Sequence, residues 1–242
     1  MRPRIPVARL EPGDIVLDDS ASHHLGRVLR CQSGDMVTLF DGQGAEAEGC
    51  VQGFAGRHVR VHVDRILHPD RESPLGITVV QSLCTADKMD WVVEKCTELG
   101  ARLIVPLAAA RSVMRVSGDR ADRKREHWQA VARAASSQSG RSRIPVIAPV
   151  CTLTSWLDEW RREPEPRTGW LLDPFAGASV SQSPLCGPLT IMIGPEAGWT
   201  DAEEEETRAA GFVGVRCGPR ILRTETAAAV VLAAVAVRSG EF

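Results

Sequence analysis

Ile193-Gly194-Pro195-Glu196-Ala197-Gly198-Trp199-Thr200 is the stretch that decides the fold class. The residues leading into it, Leu189-Thr190-Ile191-Met192-Ile193, form the near-continuous apolar run of a strand buried on both faces. The residues leading out, Thr200-Asp201-Ala202-Glu203, read as a capping box that opens a helix to Ala210. Strand, glycine-containing turn and capped helix together make one step of an α/β domain. Ligands bind at the carboxyl end of such a strand: glycines admit them to the backbone, and the helix start offers free amides. An ordinary tight turn accounts for the glycines but not for Glu196.

The same alternation extends in both directions. Ile77–Val80, Leu103–Leu107, Gly169–Leu172 and Phe212–Arg216 read as strands, and Lys88–Leu99, Arg123–Ser137 and Thr224–Arg238 as helices. This predicts an α/β domain with a mostly parallel sheet. A second chemistry-bearing segment, Cys217-Gly218-Pro219-Arg220-Ile221-Leu222-Arg223-Thr224-Glu225-Thr226-Ala227, joins the last strand to the last helix. Thr224 is its candidate N-cap, and Arg223 and Glu225 fall on the ligand side of the sheet.

The first 70 residues read differently. Asp35–Phe40, Glu46–Val51 and His58–Val63 alternate as strands, with Asp41-Gly42 as a turn and one short helix through His24–Leu29 capped by Asp19 or Ser20. A small barrel or twisted sheet is expected. His68–Pro74, with two prolines and three charged residues, is the candidate linker. Gly42-Gln43-Gly44-Ala45-Glu46-Ala47 matches a dinucleotide fingerprint in letters only, since strand alternation follows where a helix should open.

Composition removes other classes. The chain has 242 residues, 43% apolar and 25% charged, which suits a folded protein of one or two domains. Its longest charge-free apolar run, Ala227–Val237, is too short to span a bilayer, and the start lacks an apolar signal core. Seven cysteines without a C-x-x-C pair or a histidine cluster point to reduced thiols and to no metal site. The net charge of −2 hides a division: residues 88–145 carry twelve basic and six acidic residues, and 146–215 carry four and eleven. A local positive excess can hold a polyanion on a slightly acidic protein.

Taken together, the G-P-E-x-G loop and the I-L-R-x-E-T-A segment resemble the SPOUT (trefoil-knotted) RNA methyltransferases. The chain is most similar to the RsmE family, which methylates N3 of a uridine in bacterial 16S ribosomal RNA. His24-Leu25-Gly26-Arg27-Val28-Leu29-Arg30, Lys88-Met89-Asp90, Thr97-Glu98-Leu99-Gly100, Arg111-Ser112 and Gln138-Ser139-Gly140-Arg141 fit the same pattern. Two positions depart from it: Ala197 replaces a usual glycine, and Ser137 a usual glutamate.

The resemblance implies a PUA-like RNA-binding β-barrel over 1–70 and a SPOUT domain over 75–242. It implies S-adenosylmethionine as cofactor, held by Leu172, Asp173, Pro174, Gly194, Pro195, Glu196, Gly198, Cys217, Gly218, Ile221, Leu222 and Thr226. Arg223 is then the candidate for stabilising the anion of the target base, and Glu225 for orienting Arg223 or relaying a proton. With the basic segment, the motifs nominate His24, Arg27, Arg30, Lys88, Arg111, Arg115, Arg133, Gln138 and Arg141 as RNA contacts. The implied setting is a cytoplasmic homodimer acting on 16S rRNA in an assembled or assembling small ribosomal subunit, with no membrane. The alternatives are a SPOUT enzyme acting on another RNA site or a ribose hydroxyl, and a non-catalytic RNA-binding protein.

Overall fold

The computed structural model describes residues 2–164 and 166–242. The chain divides into two compact units, one of residues 1–72 with 133–144, the other of 73–132 with 145–242.

The first unit is a five-stranded sheet of β1 (Arg4–Pro6), β2 (Gly13–Val16), β3 (Met36–Phe40), β4 (Glu46–Ala55) and β5 (His58–Val63), in the order β1-β3-β4-β5-β2. Only the β1–β3 pair is parallel. Period-two alternation in β5 buries Val59, Val61 and Val63 against Leu25, Leu39 and Val51. The short helix differs from expectation. α1 (Asp19–His23) is capped by Asp18, whose carboxylate accepts from Ala21 N at 2.8 Å, and a π-helical turn over His24–Val28 follows. Beyond that turn Arg30 has φ 54, the only positive φ outside glycine among the described residues. The Gly42–Ala47 fingerprint is a turn: Asp41 Oδ1 accepts from Gln43 N at 2.7 Å and Ala45 N at 3.0 Å.

Residues 133–144 complete this unit through buried charge. Glu46, with its side chain 8% exposed, accepts from Ser142 Oγ at 2.7 Å, Arg4 Nη2 at 2.8 Å and Arg71 Nη1 at 2.9 Å. Arg4 also donates to the Arg141 carbonyl at 3.2 Å. Arg141 itself is buried, and its guanidinium pairs with Glu72. That corrects the expectation of a phosphate contact at Arg141: its charge is neutralised inside the unit, where RNA has no access.

The second unit holds an eight-stranded sheet, every pairing of it parallel. In chain order its elements are β6 (Thr78–Ser82), α2 (Ala86–Glu98), β7 (Leu103–Ala108), α3 (Asp119–Ser139), β8 (Val146–Ile147), β9 (Cys151–Thr152), α4 (Leu153–Trp160), β10 (Thr168–Leu172), β11 (Ala178–Ser179), β12 (Leu189–Ile193), α5 (Asp201–Ala209), β13 (Val213–Arg216) and α6 (Thr224–Ser239). The order is β11-β13-β10-β12-β6-β7-β8, with β9 also on β7. β12 is buried along its whole length, and Val80, Val105, Leu171 and Met192 share one core with Trp156, Trp160 and Phe212. The capping box of α5 is present, with Thr200 and Glu203 bonding reciprocally. The last two turns of α3, residues 133–139, belong to the first unit. Among the described residues no helix is long and apolar enough to cross a membrane.

Glu46 carries the acid sensitivity of the first unit. Burial pushes its carboxyl up, but the hydrogen bonds from Ser142, Arg71 and Arg4 outweigh it and hold the group below its ordinary 4.5. Its stabilisation is therefore complete above that value and is lost as pH falls through the lower folded pKa. Glu46→Gln leaves Arg4 buried without a counter-charge and should cost about 3 kcal/mol. Urea midpoints at pH 7 and at pH 4 check both points: the variant should be less stable at pH 7 and should lose less on acidification.

Candidate active site

Sheet order brings three loops together. β13, β10 and β12 are neighbours and run parallel, so the segments that leave their carboxyl ends emerge side by side. Between them lies a cavity of about 440 Å³. Leu172, Asp173 and Pro174 line it from the β10 loop. Gly194, Pro195, Glu196 and Gly198 line it from the β12 loop, and Cys217, Ile221, Leu222 and Arg223 from the β13 loop. Gly218, Thr226 and Glu225 are outside the lining.

The β12 loop is shaped by close contact. Gly198 N donates to the Pro195 carbonyl at 2.9 Å, closing a turn. A Cβ on Gly194 would sit 2.8 Å from Trp199 Nε1, so only glycine lets this buried indole lie against the loop. Trp199 lines the cavity, and its buried Nε1 has no hydrogen-bond partner among the described residues. Arg111, exposed and among the expected RNA contacts, donates through Nη1 to the Trp199 carbonyl at 2.9 Å and the Ala197 carbonyl at 3.4 Å. Its hydrogen bonds therefore hold this loop.

Thr224 is not the N-cap of α6. Arg223 takes that position without a side-chain bond. The Thr224 hydroxyl instead donates to the Gly194 carbonyl at 2.7 Å and accepts from Gln81 Nε2 at 2.9 Å. This fixes the two residues around it. Arg223 lines the cavity, exposed, and makes no ion pair among the described residues. Among the described residues Glu225 makes no hydrogen bond or ion pair with Arg223; its Oε2 is buried, 3.5 Å from Lys88 Nζ.

Lys88, in the first turn of α2, also donates to Glu196 Oε1 at 2.5 Å. That bond first, and then the charges of Glu196 and Glu225, hold its ammonium above the ordinary lysine value, so it stays charged. The remaining carboxylates of the lining are also held by a cation. Asp173 Oδ2 accepts from Arg208 Nη2 at 3.0 Å, and Glu204 lies 3.7 Å from the same atom. Burial pushes the Cys217 thiol up to about 11, so the one cysteine in the lining is not a thiolate. Among the described residues no cluster of His, Cys, Asp and Glu could hold a metal ion.

Known proteins match in both units. An RNA methyltransferase domain model matches residues 71–236, and an RNA methyltransferase PUA domain model matches residues 17–63. Ribosomal RNA small subunit methyltransferase E of Bacillus subtilis is 33% identical over 225 residues, covering 90% of this chain and 87% of that protein. The chain belongs to the ribosomal RNA small subunit methyltransferase E family. The enzyme of the same name from Mycobacterium bovis is 34% identical over 229 residues, 92% of this chain and 86% of that one. The crystal structure of the Neisseria gonorrhoeae enzyme bound to S-adenosyl methionine superposes with a TM-score of 0.90, at 31% identity and over 98% of each chain. The expected fold class holds: a PUA-type unit precedes a SPOUT-type α/β unit with a parallel sheet.

Within this family the Ala197 departure is accommodated. Ala197 is absent from the positive-φ residues, so a methyl there meets no backbone strain. Ser137 bonds only back along its own helix, to the Arg133 carbonyl at 3.1 Å. Sequence reading missed several cavity residues, Phe175, Trp199, Glu204 and Arg220 among them. Trp199 and Arg220 stood inside the quoted motifs and were legible by position, whereas Glu204 required knowing that α5 begins against the cavity. Of the other proposed RNA contacts, His24, Arg27, Arg30, Arg115, Arg133 and Gln138 are exposed.

Proposed function

We propose that this chain transfers a methyl group from S-adenosylmethionine to N3 of a uridine in 16S rRNA. One observation carries this reading beyond family membership. The cavity pairs every carboxylate of its lining with a cation and leaves the guanidiniums of Arg220 and Arg223 without an ion pair among the described residues. A site left with free positive charge suits a substrate that becomes an anion.

The residues present fit the cofactor. The cavity volume falls in the range of about 300–1,000 Å³ common for small-molecule sites. Apolar contact comes from Leu172, Ile221 and Leu222, and the buried Trp199 indole N–H is a donor in want of an acceptor. Bound S-adenosylmethionine supplies a methyl group on a sulfonium, whose departure leaves a neutral thioether that needs no acid. The chain's own task is at the acceptor, because N3 of uridine carries a proton at neutral pH. Arg223 stabilises the negative charge that spreads to the base carbonyl oxygens as that proton leaves. Backbone groups of the three loops orient the two partners.

The RNA is held by exposed arginines, Arg115 in the second unit and Arg133 in the first among them. The target belongs to an assembled or assembling small subunit, which places the chain in the cytoplasm. A second copy of the chain completes the enzyme through its α/β unit, where Val230 and Val237 of α6 stay exposed. Light scattering should give twice the chain mass at micromolar concentration; the monomer mass overturns the homodimer.

Arg223→Ala should retain cofactor affinity and lose about 10²–10³ in turnover. Calorimetry and methyl incorporation into small-subunit rRNA measure the two separately. Lost cofactor binding with normal turnover at saturation would make Arg223 a cofactor ligand. For RNA, Arg115→Glu and Arg133→Glu should each lower the log–log salt slope of binding by about 0.7–0.9. Equal slopes in wild type and both variants would remove these residues from the interface.

A further inference from the structure

We infer that Lys88 is a positioning residue that keeps Arg223 available to the substrate by holding the Glu196 carboxylate away from it. The inference rests on the proposed role of Arg223. Two observations lead to it. Glu196 and Arg223 line the same cavity, and with Asp173 and Glu204 held by Arg208, Glu196 is the carboxylate of the lining that loss of Lys88 would free. Lys88 Nζ donates to Glu196 at 2.5 Å and lies 3.5 Å from Glu225, which follows Arg223 by two residues and is outside the lining. One ammonium thus engages two carboxylates, one from the β12 loop and one from α6.

The location of Lys88 explains why this residue can do it. α2 leaves β6, which pairs with β12, so the first turn of α2 starts beside the β12 loop. α2 also packs on α6. Lys88 therefore meets both segments while its own side chain is only about a quarter exposed, and it is outside the cavity lining. That geometry disfavours a phosphate contact, the role the basic segment suggested for it. A lysine already between two carboxylates has its charge satisfied, and RNA would have to displace both.

The test uses the full-length protein and four variants: Lys88→Met, Lys88→Arg, Glu196→Gln and the double Lys88→Met/Glu196→Gln. Turnover is measured at saturating S-adenosylmethionine and saturating small-subunit rRNA. Cofactor affinity is taken by calorimetry, RNA salt slope by titration and foldedness by thermal melting. Lys88→Met should lose about 10²-fold in kcat with an unchanged salt slope. Lys88→Arg should retain most of the rate, since it keeps the cation between the carboxylates. The double variant should regain at least tenfold over Lys88→Met, because the charge that would capture Arg223 is gone. The inference is overturned by a double variant no faster than Lys88→Met, by Lys88→Arg as slow as Lys88→Met, or by an unchanged kcat with a reduced salt slope. If Lys88→Met does not fold, Lys88→Arg and the double variant still decide it. A wild-type protein that fails to methylate small-subunit rRNA sinks the functional reading itself; an active wild type with an indifferent Lys88→Met sinks only this inference.

Discussion

The hydroxyl of Thr224 is the constraint on which the active-site geometry depends. It joins three elements: the end of β12 through the Gly194 carbonyl, the end of β6 through Gln81, and the start of α6 through its own backbone. Gln81 is fully buried, so these bonds have no water to replace them, and an unmet partner there costs about 1–3 kcal/mol. With Thr224 fixed, its neighbours diverge. Arg223 goes to the cavity, and Glu225 goes to Lys88.

Electrostatics then divides the labour among the charged groups. The acidic residues of the lining serve to hold loops: Asp173 also accepts from Phe175 N at 2.8 Å, and Glu203, just outside the lining, accepts from Ala110 N at 2.8 Å. Since those carboxylates are engaged, the free positive charge on the β13 loop is not cancelled by its surroundings. Thiol chemistry is suppressed in the same region. Burial, with the charges of Glu196 and Glu225, pushes Cys84 up to about 12.

Much of this was legible in the sequence where the signal is local. Apolar runs marked β7, β10 and β12, and the Thr200–Glu203 pair marked the start of α5, because strand burial and capping depend on neighbours in the chain. The three loop segments could be named in advance, and sheet order then showed why they converge. What failed was whatever depends on partners distant in sequence. Thr224 looks like a cap until Gly194 and Gln81 are placed beside it. Arg141 looks like a surface cation until Glu72 is placed beside it. Glu225 is two residues from Arg223, a spacing that does not face its partner on a helix, and the structure sends it to Lys88.

The return of residues 133–144 to the first unit has a consequence for how the protein is made. Synthesis proceeds from the amino terminus, and domains ordinarily fold as they emerge. Here the buried Glu46 carboxylate bonds to Ser142, 96 residues later, and Arg4 bonds to the Arg141 carbonyl, 137 residues later. Until that stretch has been translated, the amino-terminal sheet has an ionised group facing its interior with part of its hydrogen bonding missing. The nascent sheet must therefore wait, incompletely closed, while residues 73–132 of the second unit are being built. The loop that finally closes is long, and closures of that kind set slow folding steps. The discontinuity thus ties the maturation of the RNA-binding unit to the progress of the catalytic one.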